Sequence, residues 1–581
     1  MRTSRLVLVA VVAFVLGGVA YLVWGNRKDS GQFSTDPAER GGTITATYRT
    51  EPASFNRHVG TTVAEDLVAR LVHGTLVRLN RVTGELEPRV ASAWTGSADH
   101  LTWTFTLRPD VVFSDGTPLT SADVVFSFQV LYDPAVRSSL ATSLQIGGKP
   151  MVARAMDEHT VVVVFPSTFG PGIGILDALP ILPAHKLRSA LEAGTFRDTW
   201  GVTTPVRDIV GLGPFVIHEY VSGQRLVFAR NERFWRRDDQ GRPLPLLDRL
   251  ELQFTPDQNA EVLRLQAGES DLMTDRVRVE DLTALRDLAA RGQIALHDAG
   301  VSTAPDAFWF NLDPAADVAR DRPWLQNTEF RRAASRAVNR STLVNQVFLG
   351  EAVEIGGPIT PGHGPWFLPD LPRPAFDPAA AKTQLAALGL VDRTGDGLLD
   401  DEQGRTAAFS VLTQKGHTVR ERSAAVIKEH LRQVGLQVDI VALEPRAMID
   451  LWTARTYDAM FFAIEFDSLD PGRHLGFWLS SGPFHFWHAQ QASPSTPWEA
   501  RLDALMTQQS TTADPAERRR LFAEAQRLFA EHEPVLYFAA PKVTIATSAR
   551  VDGVSASVLA PSVLWNAETL YVHGPTTGAR R

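Results

Sequence analysis

Two periodicities alternate along this chain, and they restrict its fold more than any other feature. Residues 101–107 alternate threonine with large apolar side chains, which is typical of a half-buried strand. The stretch 421–434 instead places Ala424, Ile427 and Leu431 on one helical face. Other strand-like stretches lie at 41–48, 226–228, 250–254 and 436–440, and other helical ones at 120–131, at 330–348 and from Asp514 onward. The sequence therefore predicts a mixed α/β fold.

Length, charge and cysteine content narrow the classes of protein. At 581 residues the chain exceeds the size at which one hydrophobic core stops growing, so several lobes are expected. Its 58 basic and 66 acidic residues give a net charge of -8, without a long basic run after residue 40, which argues against nucleic-acid binding. The absence of cysteine excludes disulfides, cysteine-ligated metals and a lipid anchor on an N-terminal cysteine.

The first 40 residues predict a membrane anchor. Arg2 and Arg5 precede nineteen mostly apolar residues, 6–24, that carry no charge. As a helix this stretch spans roughly 28 Å, close to the hydrocarbon thickness of a bilayer. A possible cleavage site ends at Ala20, but the apolar run continues past it, which favours an uncleaved signal anchor over 1–25. Cleavage and release is the alternative. Residues 26–40 are polar and predict a flexible tether.

Several segments of the body follow one another in a characteristic order. They read Glu-Pro-Ala-Ser-Phe-Asn at 51–56, Leu-Glu-Pro-Arg-Val-Ala-Ser-Ala-Trp at 86–94 and Phe-Ser-Asp-Gly-Thr-Pro-Leu-Thr-Ser-Ala-Asp-Val at 113–124. Gly-Leu-Gly-Pro-Phe follows at 211–215 and Arg-Asn-Glu-Arg-Phe-Trp at 230–235. In this order they resemble the extracellular solute-binding proteins of family 5, which serve peptide, nickel and oligopeptide ABC transporters.

The resemblance implies a two-lobed periplasmic binding protein of type II, in its large three-domain subclass. Lobe I is expected from residues 41–76, 188–300 and 540–575, and a subdomain packed on it from 77–187. Lobe II is expected from 301–539. A ligand would bind in the cleft between the lobes, and binding would close a hinge.

One carboxylate is a candidate ligand contact through the same resemblance. The family binds the α-amino group of its ligand with an aspartate three residues before an Asp/Glu-Pro pair. Asp467 stands three residues before Asp470-Pro471, and a carboxylate is a strong acceptor for an ammonium group. The alternative is that Asp467 starts a turn or caps a helix.

Aromatic residues lie close to Asp467 in the sequence. We expect Phe462, Phe466, Trp478 and Trp487 to line the cleft and to stack on the ligand or face its cation. The alternative is that they form the core of lobe II, since large aromatic side chains dominate cores. His485 and His488 are also near, but their loose spacing predicts no metal site, and no cofactor is predicted.

The resemblance implies a receptor and not an enzyme. The expected function is capture of a peptide or another small amine-bearing solute at the extracytoplasmic face, as a monomer, and its delivery to ABC permease subunits. Two alternatives stay open: a membrane-anchored sensor or assembly factor with the same fold, and a non-peptide ligand such as a sugar or metal chelate.

Overall fold

The computed structural model describes residues 40–466 and 468–573. Its strands, in chain order, are β1 (Thr43–Tyr48), β2 (Val77–Leu79), β3 (Leu86–Pro88), β4 (Ala91–Gly96), β5 (Thr102–Leu107), β6 (Val152–Asp157), β7 (Thr160–Val164), β8 (Phe215–Val221), β9 (Arg225–Arg230), β10 (Arg249–Phe254), β11 (Leu272–Met273), β12 (Ile294–Val301), β13 (Ala307–Phe310), β14 (Ala352–Glu354), β15 (Ala408–Gln414), β16 (Gln437–Leu443), β17 (Ala459–Phe462), β18 (Val535–Tyr537), β19 (Ala539–Ser548), β20 (Val551–Asp552) and β21 (Tyr571–Val572).

The helices alternate with these strands. They are α1 (Val63–Val72), α2 (Ser121–Tyr132), α3 (Ala184–Glu192), α4 (Gln258–Ala267), α5 (Leu282–Ala290), α6 (Asp317–Asp321), α7 (Thr328–Ala337), α8 (Arg340–Thr342), α9 (Pro378–Ala387), α10 (Thr418–Gln433), α11 (Pro445–Thr453), α12 (Leu475–Trp478), α13 (Pro497–Thr511) and α14 (Pro515–His532). Short 3₁₀ helices, such as Gly172–Ala178 and Pro471–Arg473, connect several of them.

Three larger sheets carry the architecture. An eight-stranded sheet has the order β12-β19-β11-β1-β10-β9-β8, with β14 added beside β19, and we call the part built on the seven strands other than β14 lobe I. A four-stranded antiparallel sheet, β4-β5-β7-β6, forms the subdomain. A five-stranded mixed sheet, β16-β15-β17-β13-β18, forms lobe II. The chain is thus a mixed α/β protein with more than one core, as its periodicities predict.

Lobe II illustrates why these residues form a central strand. All four side chains of β13 are buried, and they alternate between two apolar clusters. Phe308 and Phe310 pack with Phe409 on one face, while Ala307 and Trp309 pack with Met460 on the other. A strand covered on both faces needs apolar side chains at every position, and this one has them.

The chain crosses between the two lobes twice, at neighbouring places. β12 of lobe I is followed by β13 of lobe II, and β18 of lobe II is followed by β19 of lobe I. The Ser302 N–H donates to the Pro541 carbonyl of β19 at 2.8 Å, so the first crossing is hydrogen-bonded to the strand that follows the second. Gly362 packs against the first crossing, and a Cβ there would lie 1.9 Å from the Val301 carbonyl oxygen.

The domain boundaries stay a prediction, but the strands can be placed against them. The sheets of lobe I, the subdomain and lobe II draw their strands from the ranges expected for each, with one exception. β14 comes from the range 301–539 and pairs with β19 of lobe I. It pairs with the first three residues of β19, directly after the second crossing.

The local signals predict one helix correctly and another wrongly. Thr120 and Asp123 form the expected capping box at the start of α2. The continuous helix expected over 330–348 is wrong, because α7 ends at Ala337 and Val338 is extended. Asn339 then caps a new helix by accepting from the Ser341 and Thr342 N–H groups.

None of the helices within 40–466 and 468–573 has the length and apolar character needed to cross a bilayer. The predicted signal anchor at 1–25 and most of the tether lie outside the described residues.

Candidate functional site

A cavity of about 370 Å³ lies between lobe I and lobe II, beside the two crossings. Its wall in lobe I comes from the ends of β1 and β11, the start of α1 and the loop 558–564. Ser302, Thr303 and Ala304 of the first crossing contribute one edge, and Glu465 and Phe466 contribute the wall in lobe II. The cavity is therefore in contact with both lobes and with the segment that joins them.

The topology of lobe I explains why polar residues meet here. β1 runs parallel to both β10 and β11, so these strands end at the same edge of the sheet. Open α/β sheets bind ligands in the crevice outside such carboxyl ends. Tyr48 and Arg49 stand at or just after the end of β1, and Asp275 and Arg276 just after β11.

Arg49 is shared by two carboxylates. Its Nε lies 3.1 Å from the Asp275 Oδ2 atom, and a second nitrogen also contacts that oxygen. The guanidinium is 3.6 Å from Glu261 of α4, whose side chain is fully buried behind it. Burial and the charge of Asp275 raise the pKa of Glu261 to about 7, although Arg49 acts in the opposite direction. Within the described residues its Oε2 atom has no hydrogen-bond partner.

A second ion pair joins the lobes across the cavity. Arg276 of lobe I lies 3.0 Å from Glu465 of lobe II, and it also donates to the Ser302 hydroxyl at 3.3 Å. Both charged side chains are substantially exposed. The pair thus connects the two walls of the cavity and the crossing without being buried.

Phe466 is the sequence-predicted aromatic residue that lines the cavity. Its ring lies 4.4 Å from the ring of His474 and 5.6 Å from that of Phe477, so it is held from the lobe II side. Asp467, the predicted carboxylate, lies outside the described residues. It follows Phe466 directly in the sequence.

The other three predicted aromatic residues do not line the cavity. Phe462 is half-buried and stacks on Trp309 at 5.3 Å. Trp478 and Trp487 are 1% and 0% exposed and belong to the aromatic core of lobe II. These two rings thus lie in the core of lobe II, which was the alternative expected from the sequence. Ligand contact by them stays a prediction.

The two histidines take part in separate polar contacts. His485 is fully buried, 3.4 Å from Glu499, and His488 lies 3.1 Å from the Ser495 hydroxyl. In the part of the chain that the structure describes, no three His, Asp or Glu side chains form a group able to hold a metal ion.

Sequence reasoning missed three charged residues of the lobe I wall and the glutamate buried behind them. Arg49, Glu261, Asp275 and Arg276 were not among the predicted site residues, although three of them follow the ends of strands. Polar residues directly after two parallel strands were the available signal, but it required knowing that β1 and β11 are neighbours.

Two lobes, two chain crossings and a charged cavity at the carboxyl ends of parallel strands define the class of solute-binding proteins. The model of "Bacterial extracellular solute-binding proteins, family 5 Middle" matches residues 85–486, which is more than half of the chain. The chain therefore belongs to this family, as the sequence resemblance predicts. It is an extracytoplasmic solute-binding protein of the kind that serves ABC transporters.

Individual relatives agree with this assignment. The chain is 27% identical over 539 residues to a "Probable ABC transporter-binding protein" of Deinococcus radiodurans, covering 89% of each chain. It is 23% identical over 540 residues to the oligopeptide-binding protein AppA of Bacillus subtilis, covering 90% of this chain and 91% of that one.

Solved structures show the same fold. AppA of Bacillus subtilis in complex with a nonapeptide matches with a TM-score of 0.70 and 22% identity, covering 93% of this chain and 100% of that chain. The ABC transporter substrate-binding protein CtaP of Listeria monocytogenes matches with a TM-score of 0.75 and 20% identity, covering 92% and 100%.

Proposed function

We propose that this protein captures a small zwitterionic solute, such as a short peptide, in the cavity between its lobes and delivers it to an ABC permease. The observation that carries the proposal is that charges of both signs face one cavity and that the charged groups come from both lobes: Arg49 and Asp275 from lobe I, and Glu465 from lobe II. A ligand with one positive and one negative end can pair with both kinds of group.

Each end of the ligand has a candidate partner. The carboxylate of the ligand would pair with Arg49, which lines the cavity and is held from behind by Asp275 and Glu261. The ammonium group would pair with Asp467, the carboxylate implied by the family resemblance, next to Phe466 and Glu465. Phe466 would pack on the apolar part of the ligand. A volume of about 370 Å³ falls at the small end of the range for ligand sites.

Closure would follow from contacts on both sides. A ligand held by Arg49 in lobe I and by the segment 465–467 in lobe II favours the conformation in which both contacts are made. The two adjacent crossings, at 302–306 and at Phe538, are the hinge in this proposal, because they are the places where the chain passes between the lobes.

The cellular setting completes the proposal. Residues 1–25 would hold the receptor at the outer face of the cytoplasmic membrane as an uncleaved signal anchor, and the receptor would act there as a monomer beside its permease. Relatives named for oligopeptides and for di- and tripeptides support a peptide as the solute. A nickel-binding periplasmic protein of Escherichia coli is also a relative, at 22% identity, so a metal chelate is the first competitor to test.

Titration calorimetry with matched peptides tests the function. We expect a tripeptide with free termini to bind, and expect N-acetylation or C-terminal amidation of the same peptide to weaken binding at least tenfold, about 1.4 kcal/mol. Asp467→Asn should remove the effect of N-acetylation, and Arg49→Gln the effect of amidation. Asp439→Asn, on an exposed strand position of lobe II, is the matched control.

Other outcomes would contradict the proposal in distinct ways. If a nickel chelate or a sugar binds and no peptide does, the zwitterion assignment is wrong while the receptor function stands. If Asp467→Asn and Asp439→Asn bind the tripeptide as tightly as the unchanged protein, Asp467 is not the partner of the ammonium group.

A further inference from the structure

A loop of the subdomain contacts lobe II through its backbone atoms. The loop precedes the 3₁₀ helix Gly172–Ala178 and contains Gly170. The Gly170 N–H donates to the Ser510 carbonyl at 2.6 Å. The Gly170 carbonyl accepts from the Arg518 Nη1 atom at 2.9 Å. Both polar groups of one subdomain residue are therefore satisfied by lobe II.

The end of α13 explains why lobe II accepts this loop. The last carbonyl groups of a helix have no partner within the helix. Here the Ser510 carbonyl receives the Gly170 N–H, and the Gln509 carbonyl receives the Arg518 Nε–H at 3.1 Å. The subdomain loop and Arg518 together cap the carboxyl end of a lobe II helix.

Arg518 also reaches the segment that continues from the cavity wall. Its guanidinium contacts both oxygens of Asp470, at 2.5 and 2.8 Å, and Asp470 caps the 3₁₀ helix Pro471–Arg473. It lies over the ring of Trp366 at 5.0 Å and is 4% exposed. One buried arginine thus binds the subdomain loop, the end of α13 and a residue four positions after Phe466.

Only glycine fits at position 170. A Cβ atom there would lie 2.6 Å from Arg518 Nε, 2.7 Å from the Thr512 carbonyl oxygen and 2.9 Å from the Gln509 carbonyl oxygen. These neighbours all belong to lobe II. An added methyl group would therefore oppose the contact between the subdomain and lobe II. The three atoms nearest to it all belong to lobe II and none to the subdomain.

We propose that Gly170, Asp470, Ser510 and Arg518 form a clasp that holds the subdomain on lobe II and so keeps the cavity closed around its solute. Arg518 is the positioning residue of the clasp, since it links the docked loop to Asp470. The consequence for solute binding rests on the proposed function, whereas the docking of the loop does not. Opening the cavity requires the clasp to break, so the clasp slows solute release.

Distance measurements on the full chain test the docking directly, without any solute. The protein has no cysteine, so spin labels can be attached at Met156→Cys on β6 and Ala504→Cys on α13, both exposed positions. We expect one narrow distance distribution in this labelled background and a longer, broader one when Gly170→Ala is added. Gly174→Ala is the matched control, because its Cβ would meet only Leu86, at an ordinary 3.6 Å. Equal distributions for Gly170→Ala and Gly174→Ala would overturn the clasp.

Release kinetics test the effect on solute. With trialanine as the probe, we expect Gly170→Ala to raise the dissociation rate constant about tenfold, whereas Gly174→Ala should leave it within twofold of the unchanged protein. Arg518→Lys keeps the charge but loses the fork of three nitrogens, and it should raise the dissociation rate by a smaller factor. An unchanged dissociation rate in Gly170→Ala would overturn the proposal. If the unchanged protein does not bind trialanine, the proposed function fails for that probe, and the distance measurement alone decides on the clasp.

Discussion

Two buried glutamates, in two regions of the molecule, have opposite surroundings. At the joint between the subdomain and lobe I, Glu568 lies 2.7 Å from Arg78, 2.9 Å from Arg89 and 2.5 Å from Arg236. Beside the cavity, Glu261 has Arg49 at 3.6 Å and an oxygen without a hydrogen-bond partner among the described residues. One carboxylate has an excess of positive neighbours and the other has too few.

The pKa values follow from these surroundings. Burial acts to raise the pKa of Glu568, but Arg78, Arg89 and Arg236 outweigh it and hold that pKa well below its usual range. Burial also raises the pKa of Glu261, and there the single arginine, shared with Asp275, leaves it at about 7. The joint has a fully ionised carboxylate, whereas Glu261, buried behind the cavity wall, titrates near neutral pH.

The difference between the two glutamates indicates which contact of the subdomain is permanent, the one with lobe I or the one with lobe II. A carboxylate bound by three arginines from different segments fixes the subdomain on lobe I, because separating them would leave buried charges unpaired. Glu261, which lacks a hydrogen-bond partner for one oxygen among the described residues, lies beside the proposed ligand site. Functional sites commonly contain buried polar groups that are not optimal for stability. The subdomain is therefore firmly attached to lobe I, and it contacts lobe II through the clasp.

The largest effect on stability is expected from a substitution at the joint between the subdomain and lobe I. Glu568→Gln leaves three arginines without their shared anion, and removing one partner of a buried ion pair costs about 3–5 kcal/mol. We expect the free energy of unfolding, measured by urea denaturation at pH 7, to fall by that amount. Glu87→Gln removes a partly exposed partner of Arg78 and should cost much less. Equal costs for the two variants would show that Glu568 is not the centre of the joint.

A smaller effect concerns the pH dependence of stability at the cavity. The pKa of Glu261 rises from 4.5 in the unfolded chain to about 7 in the folded protein, so the folded state holds its proton more tightly. Its contribution to stability is complete below pH 4.5 and is lost as the pH rises to about 7, by up to about 3 kcal/mol. Glu261→Gln should remove this part of the pH dependence in urea denaturation series from pH 4.5 to 7.5.

Two other glutamates sharpen that measurement. Burial raises the pKa of Glu533 in lobe II to about 7 as well, so Glu533→Gln should remove a similar part of the slope without changing peptide affinity. Glu568 has the opposite sign: its contribution is present above pH 4.5 and is lost as the pH falls below that value. A slope unchanged by Glu261→Gln would mean that Glu261 is ionised throughout.

The smallest expected effect concerns the ion pair that crosses the cavity. Arg276 and Glu465 are 43% and 69% exposed, and exposed pairs contribute about 0–1 kcal/mol. A double-mutant cycle with Arg276→Gln and Glu465→Gln should give a coupling free energy in that range that decreases with added salt. The exposed pair Lys415–Glu444, at 3.2 Å within lobe II, is the matched control. A coupling well above that of the control would show that the interlobe pair is shielded from solvent.

The sequence by itself determined the fold class, several elements and the family. The strand β5, the capping box of α2 and the ordered motifs from 51 to 235 depend on residues that are neighbours along the chain. The period of a strand, the hydrogen bonds of a helix cap and the spacing of a motif are set over a few residues. They can therefore be read before any tertiary contact is known.

Only the tertiary structure decided which residues meet at the cavity and at the clasp. Arg49 and Asp275 are 226 positions apart, and Arg518 meets a carbonyl 348 positions away. Trp487 and Phe466 are both aromatic residues of the same aromatic-rich region of the sequence, yet Trp487 is fully buried and Phe466 lines the cavity. Strand order and lobe packing bring such residues together or separate them, and these depend on the free energy of the whole fold rather than on any local pattern.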